Sequence, residues 1–481
     1  LNYDYNNLLT QFYSRLNKAN GAHNGFEGGI DYKFAFNKKG RELTASLFYS
    51  NSPSTDKTNL TTNYYNTDMT PGGAPSLVQK NTSNNKGTRF YGQIDLVYPL
   101  DRNLGRIESG YKGSYRSNYL DYQSFYQDSA GIMQFDSLPS NIFSNTQQIH
   151  SAYLIYANSI KKFKYQVGVR AEDAITVSDQ LTTDSTYKSN YFNIFPTVHL
   201  KYEFTDNHAV QISYSRRVNR PRSGNLNPYI DYTDPMNLSA GNPYLKPEFT
   251  NSFELGHLIS FKSSSFNTTL FYRQTDNMIT RVMNLLDSGR TYTTYQNLDK
   301  GSSFGLELIY SQGIFKWWKI NSNFSLFGTK YYGESEVKGL NDVNASWTAK
   351  INSSMTFWKS FDVQIGFNYQ SSMIMVQSRG GGPGGMFGSD AQGKRLANYT
   401  CDIGLKKDFF KNMLTLTLRV SDVFNTRKSE VQTHAVDYYS DVKRWSDSRV
   451  LFIGASFKFN KGVKPKKRTQ QQDDNQDEID Y

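Results

Sequence analysis

Four arginines fall within the nine residues YSRRVNRPR, at Arg216, Arg217, Arg220 and Arg222. Guanidinium forks suit carboxylates and phosphates. The chemistry on offer is therefore capture of an anionic ligand, or of lipopolysaccharide phosphates, at a rim. The plainer reading is preferred: a strand rim whose arginines pair with neighbouring carboxylates and water. Other reactive residues are sparse. The six histidines are His23, His150, His199, His208, His257 and His434, and none has metal-ligand spacing to another or to Cys401, the single cysteine. No zinc or haem site, no disulfide and no cofactor is expected. No motif places a Ser–His or Asp–His pair, so the chain does not read as an enzyme. The glycine-rich SRGGGPGGMFGSDAQGK (378–394) lacks the strand-to-helix context of a phosphate cradle and reads as a loop.

The elements that must position these residues are strands. Period-2 alternation recurs along the chain. In GFEGGIDYKFAF, Phe26, Ile30, Tyr32, Phe34 and Phe36 share one face, and Glu27, Asp31 and Lys33 the other. LTLTLRVS sets Leu414, Leu416, Leu418 and Val420 against Thr415, Thr417, Arg419 and Ser421. In the same phase as Tyr399 and Ile403, Cys401 reads as a small residue facing lipid.

Connections alternate in length. NKKG, DRNLG, KKF, TDN and FFKN are short, whereas 53–87, 127–147, 222–248 and 379–395 read as long loops. Aromatic residues end the apolar runs, as at Tyr202 and Phe204 or Phe457 and Phe459. Short turns at one end, long loops at the other and interfacial aromatic girdles mark a transmembrane barrel. Composition agrees. Hydrophobic content is 37%, yet aromatics reach 15%, too many for a disordered chain. Mean hydropathy is −0.64, compatible with strands whose two faces average out. The net charge of +11 comes from scattered lysines and arginines, so nucleic acid is not an expected partner.

The expected fold is all-β: a transmembrane antiparallel up-and-down β-barrel with about 18 strands visible, occupying residues 1–460. A charged tail, 461–481, follows. It carries Lys461, Lys464, Lys466, Lys467 and Arg468 first, then Asp473, Asp474, Asp477, Glu478 and Asp480, and reads as disordered and periplasmic. The prolines at 221, 228, 235, 243 and 247 imply that 222–248 is an ordered loop, folded over the lumen.

The stretch 208–256 contains YSRRVNRP, LNPY, GNPYLKPE and FELG. It closely resembles the barrel of TonB-dependent-receptor-like outer-membrane proteins of the Bacteroidetes type. LKKDFFKNMLTLTLRVSDVFNT (405–426) resembles their penultimate hairpin. FIGASFKF, with Phe452, Gly454, Phe457 and Phe459, resembles their terminal insertion signal, with Phe452 where a polar residue is usual. The resemblance implies a 22-stranded barrel around an N-terminal plug. The expectation is thus the C-terminal portion of such a barrel, with N-terminal strands, plug and energy-coupling peptide missing from this chain.

The implied function is uptake of an unidentified substrate across the outer membrane. Implied partners are outer-membrane lipid and lipopolysaccharide, the barrel assembly machinery, and a periplasmic energy-coupling protein or the subunits of an outer-membrane complex. The alternative of a different class is a structural barrel subunit of an assembly or export complex. A third is a closed 18-stranded, porin-like channel.

Overall fold

The computed structural model describes residues 2–3, 9–37, 40–68, 70–72, 75–101, 104–232, 234, 237–286, 290–332, 342–358, 360–375, 393–410, 413–434 and 439–459. The expectations for the glycine-rich loop and for the 461–481 tail lie outside these residues, the loop but for Gly393 and Lys394.

The first half is a meander of long strands: β1 (Asn2–Tyr3), β2 (Leu9–His23), β3 (Phe26–Ala35), β4 (Glu42–Tyr65), β5 (Leu77–Pro99), β6 (Arg106–Gln127), β7 (Met133–Ile160), β8 (Phe163–Gln180), β9 (Ser185–Thr205) and β10 (His208–Asn219). A four-residue helix α1 (Ser223–Leu226) and β11 (Asn237–Ser239) interrupt it. The meander resumes with β12 (Glu248–Ser260), β13 (Ser264–Leu285), β14 (Thr291–Phe315), β15 (Trp318–Tyr332), β16 (Asn344–Phe357) and β17 (Phe361–Gln370). After β18 (Met373–Met375) and β19 (Gly393–Arg395) come β20 (Asn398–Phe409), β21 (Leu414–Val420), β22 (Lys428–His434), β23 (Tyr439–Trp445) and β24 (Leu451–Phe457). The short strands β18, β19, β22 and β23 form a separate four-stranded sheet at the long-loop end.

Strands β2 and β3 are one strand in register. His23 faces Ser54 and Phe26 faces Asn51 on the same partner, β4. The ladder is interrupted at Asn24, whose partner is Pro53. Asn24 N–H donates to the Pro53 carbonyl at 3.1 Å, but proline has no N–H to return. Among the 20 strands of the main sheet, the merged β2–β3 and the omission of the short β1 and β11 leave seventeen spanning strands. That agrees with about 18 strands.

The sheet must curl. Asp234 lies 3.7 Å from Arg15 of β2, while Asn237, three residues on, accepts from Thr291 of β14 at 2.9 Å. Nine spanning strands separate β2 from β14 in pairing order, a flat distance of about 48 Å at 4.8 Å per strand. One short segment reaches both only if the wall wraps around it.

Exposure confirms the two faces. On β8, Ala174, Thr176, Ser178 and Gln180 are buried toward the interior, while Val167 and Val169 lie outward and exposed. The aromatic girdle forms at the short-turn end. Phe34–Phe36, Tyr202–Phe204 and Phe457–Phe459 pair edge-on with centroids 4.8–4.9 Å apart. Trp317 stacks between Phe315 and Trp318 and meets Phe357 across the neighbouring turn. Cys401 shares the outward phase of Tyr399, with Phe367 as register partner, yet it is buried. A continuous apolar belt of this kind demands detergent or lipid. The purified protein is expected to stay dispersed only in micelles, with a β-type circular dichroism spectrum; a monodisperse, detergent-free monomer would refute it.

Two expectations are corrected. Residues 53–87 and 127–147 are not long loops. They are mostly the prolonged β4–β5 hairpin and the start of β7, with only 66–76 and 128–132 between strands. Beyond the bilayer both faces of a strand meet water, so the alternation that marks a strand fades. The closed 18-stranded channel also fails. With seventeen spanning strands, the first and last run in the same direction. Among the described residues β24 pairs with β21 and β3 with β4, no register joins β24 to β3, and a direct antiparallel closure between them is impossible.

Candidate functional site

The interior at the long-loop end is occupied by the protein's own segment 220–247. Its neck is the register pair Asn219 and Glu248. Glu248 is only 2% exposed. Its carboxyl oxygens accept from Asn219 Nδ2 at 2.5 Å and from the Ile279 backbone N–H at 2.5 Å. An acid at this neck thus satisfies donors from two strands at once.

From the neck the segment enters the lumen. Leu226 of α1 and Leu245 pack on Phe143 of β7 and Ile279 of β13, with Tyr295 against them. Polar contacts spread wider. Gln180 donates to Asn141 at 2.6 Å and to Asn227 at 3.4 Å. Tyr229 donates its hydroxyl to the Leu138 carbonyl at 2.7 Å. Asn242 Nδ2 donates to the Tyr295 carbonyl at 3.0 Å, and β11 pairs in parallel with Thr291–Thr293. Gly241 is required here, because a Cβ would sit 2.6 Å from the carbonyl oxygens of both Asn225 and Asn227. Burial raises the Tyr229 hydroxyl pKa above the ordinary phenol value.

The four arginines do not converge. Arg216 lies 5.1 Å from the Phe249 ring centroid. Arg217, one residue on, faces the opposite side of β10 and is exposed. Arg220 pairs with Glu172 of β8 inside the lumen and stands 5.9 Å from the Tyr191 ring. The second oxygen of Glu172 takes Arg170 at 2.8 Å. Arg222 supplies the carbonyl that Asn225 N–H meets at 2.9 Å.

The four residues at the other end sit on or beyond β24. Phe457 faces Leu414, Ile453 faces Leu418, and Leu451 faces Val420, all in the outward phase. Gly454 and Phe452 share the inward phase. A Cβ on Gly454 would meet Thr417 Oγ1 at 2.6 Å. Phe459 follows the strand and closes the ring pair with Phe457.

Sequence reasoning missed Glu172, Glu248 and Arg15, because their partners lie 48, 31 and 219 residues away and no local spacing announces them. It also treated the histidines as isolated. Strand register brings His208 and His257 together at the short-turn end, Nε2 to Nε2 2.5 Å. Among the described residues no group of three or more metal-ligating side chains forms.

A family model described as the outer membrane protein beta-barrel family matches residues 34–459. No curated protein matches the chain in sequence. Similar solved structures include the ferric yersiniabactin uptake receptor FyuA from Yersinia pestis, with a TM-score of 0.55 and 13% identity over 90% of this chain and 70% of that one. The siderophore receptor PiuA from Acinetobacter baumannii gives 0.56 and 14% over 87% and 64%. The copper transporter OprC gives 0.56 and 10% over 90% and 72%. At these identities the likeness is one of fold, and the chain spans about two thirds of those proteins' length.

Proposed function

The chain belongs to the outer membrane protein beta-barrel family, and on that premise we propose that it is the barrel portion of a TonB-dependent-type receptor that takes up a solute through the outer membrane. It is a barrel of receptors and transporters, not an enzyme. The observation that carries the receptor reading is the segment 220–247, packed inside the lumen by Arg220–Glu172, Asp234–Arg15 and the Phe143 cluster. A wall that carries its own obstruction suits gated uptake of a captured solute better than an open pore.

In this reading the short turns lie in the periplasm and the long-loop end faces outside. Residues 1–460 belong to the barrel and 461–481 to a periplasmic tail. The full barrel has 22 strands. The five beyond the seventeen are an odd number, as an all-antiparallel barrel requires when the strands on either side of them, β24 and β3, run in the same direction. Exposed Arg217 is then the rim arginine best placed to meet an anionic solute. Phe452, Gly454, Phe457 and Phe459 act as the signal read by the barrel assembly machinery. A periplasmic energy-coupling protein drives release.

The test compares solute depletion by wild-type and gene-deleted cells under nutrient limitation, with and without a proton-motive-force uncoupler. A receptor makes uptake of at least one solute depend on both the gene and the membrane energy. Unchanged uptake, together with loss of another outer-membrane protein from the deletion strain, would establish the structural-subunit role instead.

A further inference from the structure

Strand β9 outlasts its neighbour. It pairs with β8 from Ser185 to Tyr202, but with β10 only from Thr197 to Thr205. Beyond Ser215, β10 stays paired with β12 as far as Asn219 but no longer pairs with β9, and after Asn219 the chain enters the lumen segment. Residues 185–196 therefore have one edge bonded to β8 and, among the described residues, no strand on the other. An edge of this kind is a template for another strand.

The returning arm Pro243–Pro247 runs beside this edge and does not pair with it. Its backbone donors are absent or already used. Pro243 and Pro247 have none. Tyr244 N–H bonds Asn242 Oδ1 at 3.0 Å, and Lys246 N–H bonds Asn297 Oδ1 at 2.9 Å. A cleft of about 630 Å³ remains between arm and edge. Tyr187 from the edge and Tyr244 from the arm meet edge-on, 5.6 Å between centroids, and Tyr244 is 77% exposed. Among the described residues, Lys188 and Lys246 are the charged residues lining the cleft, and no carboxylate lines it. The nearby Asp179 accepts from the Thr186 hydroxyl at 2.7 Å.

We propose that this cleft docks an extended acidic peptide, added as a strand to the free edge of β9. Strand addition supplies main-chain hydrogen bonds, and alternate side chains supply specificity. The exposed Tyr244 ring, on a proline-stiffened arm and backed by the half-buried Tyr187 of the edge, gives an apolar anchor, and the two lysines set the sign of the ligand's charge. An acidic saccharide would use the rings and lysines but not the edge. The proposal names the ligand class for the receptor reading and rests on it only for the direction of traffic.

The test uses the full-length protein in detergent micelles and a fluorescent heptapeptide of alternating Glu and Val. Saturable binding is expected. N-methylation of alternate amides should weaken it at least about tenfold, a loss of about 1.4 kcal/mol, because it deletes the edge bonds while keeping the side chains. A Lys/Val peptide should not bind. Tyr244→Ala and Lys246→Gln should each weaken the acidic peptide several-fold, and Lys246→Gln should also flatten its salt dependence. Equal binding of the N-methylated peptide, preference for an acidic oligosaccharide, or no peptide binding at about millimolar concentration would each overturn the proposal. Peptide binding by a protein whose deletion leaves uptake unchanged would keep the docking site and remove the receptor reading. Gene-dependent uptake without peptide binding would do the reverse.

Discussion

Deleting residues 449–460 is expected to abolish outer-membrane assembly, read as loss of the folded, heat-modifiable species from the membrane fraction. Strand β24 makes seven register pairs with β21, from Leu414–Phe457 to Val420–Leu451, and Lys458 N–H reaches the Met413 carbonyl at 2.8 Å. Without it, β21 presents an unpaired edge to hydrocarbon, where each unsatisfied group costs several kcal/mol. Seven such losses exceed the roughly 5–15 kcal/mol by which folded domains outweigh unfolded ones. Deleting 463–481 removes none of these pairs and should leave assembly largely intact. Gly454→Val tests the strand at one atom, since the new side chain must displace Thr417; its assembly should fall without reaching the level of the deletion. Normal insertion of the 449–460 deletion would refute the proposed role of this strand as the assembly signal.

Glu248→Ala is expected to free the lumen segment without dissolving the wall. The substitution removes the acceptor for Asn219 Nδ2 and strands the buried Ile279 N–H. Hydrogen bonds to charged groups contribute roughly 1.5–3 kcal/mol each, so losing both costs about 3 kcal/mol or more locally. The barrel ladders do not depend on this carboxyl, but the neck of 220–247 does. Limited proteolysis should cut within 220–247 much faster than in wild type, while resistance of the rest of the barrel is retained. Glu248→Gln keeps an acceptor oxygen and should fall between the two. Unchanged cleavage in Glu248→Ala would mean that the Phe143–Leu226–Leu245–Ile279 cluster holds the segment alone.

The parts of the fold legible in sequence were those where one face of a strand meets lipid and the other water. LTLTLRV and LFIGASF carried their phase openly, and the register of β21 with β24 agrees residue by residue. The girdle was legible because rings gather wherever chain crosses the membrane boundary. The prolonged hairpins β4–β5 and β6–β7 were not legible. Stretches such as NSPSTDKTNLTTN have water on both sides, and nothing in their composition distinguishes strand from loop. Of the site, the arginines and the prolines of 220–247 stood out, and an ordered loop folded over the lumen was expected. The partners of that loop were not visible: Glu172 and Gln180 both lie on β8, whose lumen-facing residues look like any polar alternation.

By itself, the sequence determined the class of the protein: strands, their two faces, the order in which they meander and the end at which turns are short. Those follow from a two-residue period and from short-range turn chemistry, both local properties. Only the tertiary structure decided what the lumen contains. The curl of the wall brings Arg15 and Thr291 to one segment from opposite sides, sets Arg220 on Glu172, and leaves the edge of β9 open above Thr197. Such meetings depend on where each strand stops and how far the sheet bends. These are sums over the whole chain, and no window of sequence contains them.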